Sequence, residues 1–425
     1  MTALCCLWSA WSACGDGIAV PSSQELPNAA SPGLPTDGAL LEGAPGEPPA
    51  PDPDAPTATL RAPLEAWPLS FAATDMAAID DAVFVGDALF VAGRAADRMV
   101  ILRLHRKQDQ DVRVAASAPS ERFARVAPDA SRIVLVRSGT GALALWLADG
   151  HLEGLEIAAD AKDLTTLEPE RLSGEEGGQL AGSLVAASGD AGVVACAADK
   201  LGPTCFEITP TQPEGHHALT SVNLITKKTA LGEPRALLLL DTGFMLVLGN
   251  CKGQTCARID LMAVALDEHG VPGQRRDLPV VQIDRGSAFI ADGDGFVLVA
   301  RRVGAGEHSA WRVTPTSTRE LEGRYSRVVG GFGHDDRTLL IERAHLKMRK
   351  GFPVRGYQIR PLTDGDQRKS HKRDEVEREA IPEAVAELLP TDADQSFSAN
   401  GDALVFAAPL RKGRFGATVL RLLAR

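Results

Sequence analysis

Three short segments, Phe206-Glu-Ile-Thr-Pro210, Trp311-Arg-Val-Thr-Pro315 and Tyr357-Gln-Ile-Arg-Pro361, share one pattern: an aromatic residue, a polar one, Ile or Val, any residue, then proline. Apolar runs without the whole pattern stand in corresponding places at residues 99–105, 143–149, 257–266 and 417–423. Each of these positions follows a strand and a turn, and reads as the third strand of a unit. Successive positions are about 45 to 60 residues apart, enough for four strands and their loops. A unit of that size cannot bury its apolar faces alone and needs neighbours to cover them. Seven such units predict a β-propeller of about seven four-stranded blades. The competing reading is chance likeness among the strands of two or three β-sandwiches.

The segments between these positions agree with an all-β chain. VFVGDALFVAG, GEPRALLLLDTGFMLVLGN and FIADGDGFVLVARR are short apolar runs joined by Gly/Asp turns, and long helical patterns are missing. Apolar residues make up 44% of the 425 residues, which is ample for a core. One helix-like stretch, RDEVEREAIPEAVAELL at 373–389, is highly charged and is interrupted by Pro382. It reads as part of a charged insertion, about 364–390, lying outside the sheet core.

Two further segments, RFARVAPDASRIVLVRSGTGALALWLADG (122–150) and QSFSANGDALVFAA (395–408), resemble the repeats of TolB- and WD40-like propellers. In those repeats a Ser-Pro-Asp-Gly type of turn precedes an apolar strand. Here Ala127-Pro-Asp-Ala130 and Ser398-Ala-Asn-Gly401 take its place, and Pro-Asp and Asn-Gly are turn formers. The resemblance covers two of the seven units, and what it implies is the fold.

The two ends of the domain are predicted to meet. The last unit offers strands near 394–399, 401–407 and 415–423, one short of a blade, and so exposes an edge. The missing strand is expected from residues 64–71, LEAWPLSF, as the outer strand of that blade. Pro68 is tolerable there because an outer strand has one side free of ladder bonds. The propeller domain is therefore placed at 64–425. Residues 15–63 are dominated by Pro, Gly, Ala and acidic residues and form a disordered linker, since they cannot bury enough surface to offset chain entropy. A flexible chain of that length spans roughly 40 Å.

The cysteines bear on the compartment. MTALCCLWSAWSACG, residues 1–15, is a short apolar start that resembles a bacterial lipoprotein signal, with Ser12 and Ala13 before the cysteine that would carry lipid, Cys14. Trp11 and the missing Lys or Arg before the apolar run depart from that pattern. Cleavage before Cys14 removes Cys5 and Cys6, and with lipid on Cys14 four cysteines remain for pairing, the even number an oxidising compartment favours. Local disulfides, Cys196–Cys205 and Cys251–Cys256, are expected, each closing a turn between two strand-like runs. Zinc at a shared site is the weaker alternative, because Cys196/Cys205 lacks ligand spacing. The expected location is the bacterial cell envelope, lipid-anchored and facing the periplasm or the cell surface, with plain secretion as the alternative.

A net charge of −11 disfavours nucleic acid as a partner. No apolar run approaches the ~20 residues of a membrane helix, so the membrane is reached only through the anchor. The metalloprotease, serine-hydrolase, phosphate-loop and dinucleotide motifs are missing. Asp292-Gly-Asp-Gly295 begins like a calcium loop but lacks its closing acid, and reads as a hairpin turn. His216-His217 and Gly333-His-Asp-Asp336 read as loop residues rather than metal ligands. No metal, cofactor or catalytic residue is expected.

One segment, RAHLKMRKGFPVRGYQIR, alternates His345, Lys347 and Arg349 with Leu346 and Met348, and Arg355 and Arg360 extend the run. It is either a solvated edge strand blunted by charge or a patch for an anionic partner, protein or polysaccharide. The favoured function is a non-enzymatic binding or scaffold lipoprotein at the envelope. The alternative is an exported propeller hydrolase or quinone-dependent dehydrogenase, whose loop-borne site leaves no linear motif.

Overall fold

The computed structural model describes residues 64–422 apart from 73, 96, 107–118, 127–131, 174–178, 199–201, 212–215, 224–231, 253–257, 285–286, 326–327, 335–336, 350–351, 363–378, 382–384, 386–388, 390–394, 400–402 and 411–413. Residues 1–63, with Cys14 and the segments read from sequence as a signal and a linker, lie outside the described residues.

The chain opens with β1 (Leu64–Ala72), which is set aside until the end of the sequence. Next comes an antiparallel meander of β2 (Ala78–Val85), β3 (Ala88–Arg94), β4 (Arg98–His105) and β5 (Pro119–Val126). A second contains β6 (Val134–Ser138), β7 (Gly141–Ala148), β8 (His151–Ala158) and the short β9 (Glu170–Arg171). The third is β10 (Ala181–Ser188), β11 (Val193–Ala198), β12 (Pro203–Thr211) and β13 (His216–Asn223). Two more share a nine-stranded sheet: β14 (Glu233–Leu240), β15 (Gly243–Lys252), β16 (Arg258–Leu266) and β17 (Pro272–Asp277), then β19 (Ala288–Asp292), β20 (Gly295–Arg302), β21 (His308–Val313) and β22 (Thr318–Tyr325). The two-residue β18 (Val281–Gln282) bridges them by pairing with both β16 and β20. Another meander holds β23 (Val328–His334), β24 (Arg337–Arg349), β25 (Phe352–Leu362) and β26 (Glu379–Ala380). The last has β27 (Gln395–Ala399), β28 (Ala403–Leu410) and β29 (Arg414–Leu422).

Three strands at the end of the chain need a fourth, and β1 supplies it. It pairs antiparallel with β29 from Leu64 opposite Leu422 to Ala72 opposite Arg414, giving the sheet order β1-β29-β28-β27. Pro68 thus sits on an outer strand, where its missing N–H costs no ladder bond on the open side. The first strands β2, β6, β10, β14, β19, β23 and β27 pack each against the next, and β27 against β2. The fold is an all-β propeller.

The core lies between sheets, because in a ring of blades each sheet buries both faces against its neighbours. Trp67 on β1 meets Phe84 on β2 edge-on, with ring centroids 5.7 Å apart, so the last blade packs on the first. The aromatic residues of the repeated sequence pattern fill such spaces: Phe206, Trp311 and Tyr357 are all buried on third strands. One assignment shifts. Residues 143–149, expected on a third strand, fall largely on β7, the second strand of its blade. Second strands are covered on both faces as third strands are, and Gly141–Leu147 are all buried, so an apolar run by itself does not tell the two apart.

The charged insertion also departs from expectation where it is described. Glu379 and Ala380 form β26, paired with Ile359 and Gln358. Ile381, Val385 and Leu389, four residues apart, are buried with Tyr357, Phe406 and Leu420 between two blades. These three positions belong to the core; residues 363–378, 382–384 and 386–388 lie outside the described residues.

Candidate functional site

The innermost strands carry the polar groups a propeller could use at its channel, and here those groups hold neighbouring blades together. On β2 the ladder to β3 slips by one residue between Ile79 and Asp81. The carboxylate of Asp81 accepts the N–H of Leu135 on β6 at 2.9 Å and that of Ala82 at 2.9 Å. Asp80 accepts from the Ile133 N–H at 3.2 Å and pairs with Arg94 at 2.9 Å. Burial raises the pKa of Asp81 to about 6, against the lowering effect of Arg132 and of the two amides. In return, Arg132 donates to the Asp80 carbonyl and Arg137 to the Phe84 carbonyl, each at 2.8 Å. Further round, the Ser183 hydroxyl donates to the Pro234 carbonyl at 2.5 Å, and the Asp241 N–H to Gly293 at 3.1 Å.

A second polar cluster was not visible in the sequence. Asp284, between β18 and β19, accepts from Ser287 at 3.2 Å, meets Nε2 of the buried His308 at 2.8 Å and pairs with Arg301 at 2.9 Å. Ser, His and Asp meet here with the carboxylate as the hub. A nucleophile needs the imidazole between serine and carboxylate, so this arrangement clamps a turn onto β20 and β21. No short motif announces it, because Asp284 and His308 are brought together by the bridge of β18.

The basic segment of the sequence becomes the β24–β25 hairpin. His345 opposes Arg355, Lys347 opposes Val354 and Arg349 opposes Phe352, with a register shift between His345 and Lys347. That slip interrupts the strict alternation that one continuous basic face requires. Arg360 leaves the patch. It is buried, ion-paired with Glu342 at 3.3 Å, and its guanidinium lies 4.6 Å from the centre of the Tyr325 ring. Its place is a junction between blades, where it neutralises a buried carboxylate.

Cys196 and Cys205 oppose each other on β11 and β12 and form a disulfide, with Cα atoms 4.0 Å apart. Cys251 on β15 is disulfide-bonded as well. Cys256, its expected partner, lies outside the described residues. Asp292 opposes Gly295 across a two-residue hairpin turn whose Gly293 has φ +61°, and Arg312 pairs with Asp292 at 3.5 Å and Asp294 at 3.8 Å. The calcium-like segment is a turn. His216 and His217 open β13 rather than lying in a loop, and His334 ends β23. Among the described residues there is no group of three or more His, Cys, Asp or Glu placed to hold a metal ion.

No protein-family profile matches the chain, and no curated protein sequence matches it. Among solved structures it is similar to the β-propeller domain of Myceliophteria thermophila Cps50 (Swd1), at 13% identity and a TM-score of 0.41, over 82% of this chain and 98% of that one. It is also similar to the Dos1 propeller, at 12% identity and a TM-score of 0.42, over 84% of this chain and 94% of that one.

Proposed function

We propose that this chain is a non-enzymatic binding or scaffold module: a seven-bladed propeller tethered at a bacterial cell envelope by lipid on Cys14, with residues 15–63 as the tether. The observation that carries the binding reading is the use made of the innermost polar groups. Asp80, Asp81, Arg132, Arg137 and Ser183 are engaged in bonds that join blades, so their chemistry is spent on the scaffold. A rigid ring closed by its own first strand then offers loops and hairpins to a partner. The disulfide between Cys196 and Cys205 supports export, since such bonds persist in oxidising compartments.

Fractionation of cells carrying the wild-type chain or Cys14→Ser, with cross-linking before lysis, tests this reading. The wild type is expected in the membrane fraction with a cross-linked partner, and the variant in the soluble fraction. An intact Met1 in the mature chain, found by mass spectrometry, overturns the anchor. Substrate turnover by the purified chain, abolished by a single innermost-strand substitution, overturns the non-enzymatic reading.

A further inference from the structure

β2 and β6 are the innermost strands of the first two blades and belong to separate sheets. Bonds from side chains to backbone cross between them in both directions. Asp80 and Asp81 accept the N–H groups of Ile133 and Leu135, while Arg132 and Arg137 donate to the carbonyls of Asp80 and Phe84. Ile133, just before β6, and Leu135 within it are two residues apart, so both N–H groups leave the same edge. The two carboxylates stand where the carbonyls of a neighbouring strand would. Asp81 is buried, at 5% exposure, and its other oxygen accepts the Ala82 N–H. The charged groups around it are Asp80 on its own strand, Arg94 on β3, and Arg132 and Arg137 at β6; β7, β27 and β28, which also pack on β2, carry none. Of these, Arg132 favours the ionised carboxylate and Asp80 opposes it.

We propose that Asp81 makes the inner edge of this junction a pH-sensitive clasp, closed in acid and looser near neutral pH. The apolar faces of the two blades stay packed through Val83, Phe90 and Ile101 on the first and Ile133, Ala144 and Trp146 on the second. What yields is therefore the inner edge and not the pair of blades. Protonated Asp81 keeps a carbonyl oxygen that can accept from an amide, and it escapes the cost of a buried charge. With the clasp open, water reaches the carboxylate and its pKa returns towards 3.8; with it closed, burial holds the pKa at about 6. The closed state thus binds the proton more tightly. Its stabilisation is fully present below 3.8 and is lost as pH rises through about 6. β2 and β6 face the channel, so the clasp sets how firmly that part of the wall is held. It acts whatever the module binds.

Hydrogen–deuterium exchange of the full chain tests this, read by mass spectrometry at about pH 4 to 7 and corrected for the intrinsic pH dependence of amide exchange. In peptides carrying the Ile133 and Leu135 amides, protection is expected to fall about fiftyfold across that range. Peptides carrying the Asp241 amide, which donates to Gly293 at the junction of the fourth and fifth blades, should show no comparable change. Asp81→Asn should remove the pH dependence at Ile133 and Leu135. Arg132→Gln, at an exposed position, serves if that variant does not fold: without the guanidinium the fall should move to higher pH. An equal fall in both sets of peptides would mean that Asp81 acts only through global unfolding, and overturns the clasp. So does protection at Ile133 and Leu135 that stays flat or rises with pH. A pH dependence that survives Asp81→Asn, or a midpoint that ignores Arg132, overturns it as well.

Discussion

Glu65 on the first strand and Arg421 on the last form an ion pair 356 residues apart in the chain. Glu65 is fully buried, and Arg106, after the third strand of the first blade, lies 3.2 Å from its other oxygen. Arg421 also donates to the Gly86 carbonyl at 3.1 Å and stacks 4.4 Å from the centre of the Phe84 ring. The two cations thus bind the last blade to the first around one carboxylate. A buried carboxylate left with no cation costs about 3–5 kcal/mol, and with Arg106 still beside Glu65 the loss of Arg421 costs less than that. Arg421→Met is expected to lower the denaturation midpoint accordingly in urea titrations, and Glu65→Gln/Arg421→Met to recover part of the loss. A variant as stable as the wild type would remove this pair from the account of closure.

Truncation tests the same junction on a larger scale. Deleting residues 15–60 should leave the thermal midpoint nearly unchanged. Deleting through Phe71 removes the buried Leu64, Ala66, Trp67, Leu69 and Phe71, and each large aromatic truncation alone costs about 3–5 kcal/mol. Calorimetry of the two truncations should therefore show one near-native transition and one lost or sharply lowered. Equal midpoints would refute closure by β1.

Cys196 and Cys205 close a short loop, for which chain entropy predicts about 2–3 kcal/mol of stabilisation. The pair is buried, and the turn of the next blade leans on it. Gly270, at φ +77°, brings its Cα so close that an added Cβ would lie 3.2 Å from Val194 and 3.9 Å from Cys205. Cys196→Ala/Cys205→Ala should lose about that energy in urea melts. Non-reducing peptide mapping of the native protein should find this pair and Cys251–Cys256; a crossed pairing would contradict the local scheme.

Asp81 gives the ring a pH dependence whose sign is set by burial. Its pKa rises from 3.8 to about 6 on folding, so the folded state binds the proton more tightly. The stabilisation is fully present below the unfolded pKa and is lost as pH rises through about 6. At about 1.4 kcal/mol per pH unit, the span amounts to roughly 3 kcal/mol. Asp81→Asn should flatten the stability profile between about pH 4 and 6 relative to the wild type. An unchanged slope would show that the carboxylate does not titrate in that window.

His269 behaves as a local probe of a second junction. Its Nδ1 lies 2.7 Å from the Glu207 carboxylate on the neighbouring blade, and that contact raises its pKa above 6.5. The small stabilisation it provides is present below 6.5 and lost as pH rises through the raised value. In an NMR titration Glu207→Gln should move the imidazole midpoint down. A midpoint that does not respond would place the two side chains apart in solution.

The recurrence of apolar strands and Gly/Asp turns was enough to derive an all-β ring. Period and patterning are local properties, and blades covered on both faces leave a nearly unbroken apolar signal. The closing role of residues 64–71 was also legible, because a three-stranded unit at one end and a spare strand at the other have one economical pairing. Cys196–Cys205 followed from two strand-like runs joined by one turn. Only the tertiary structure decided which apolar run is a second strand and which a third, as at residues 143–149, because both are buried alike. It also decided the fate of charge. Arg360 reads as one more cation of a basic run, yet the packing of Tyr325 and Glu342 around it makes it a core residue. Asp81, Asp284 and His308 carry no signature, since their partners arrive from other blades or across a bridging strand. Sequence patterning reports how a residue suits its own strand, while long-range pairing decides what stands opposite it.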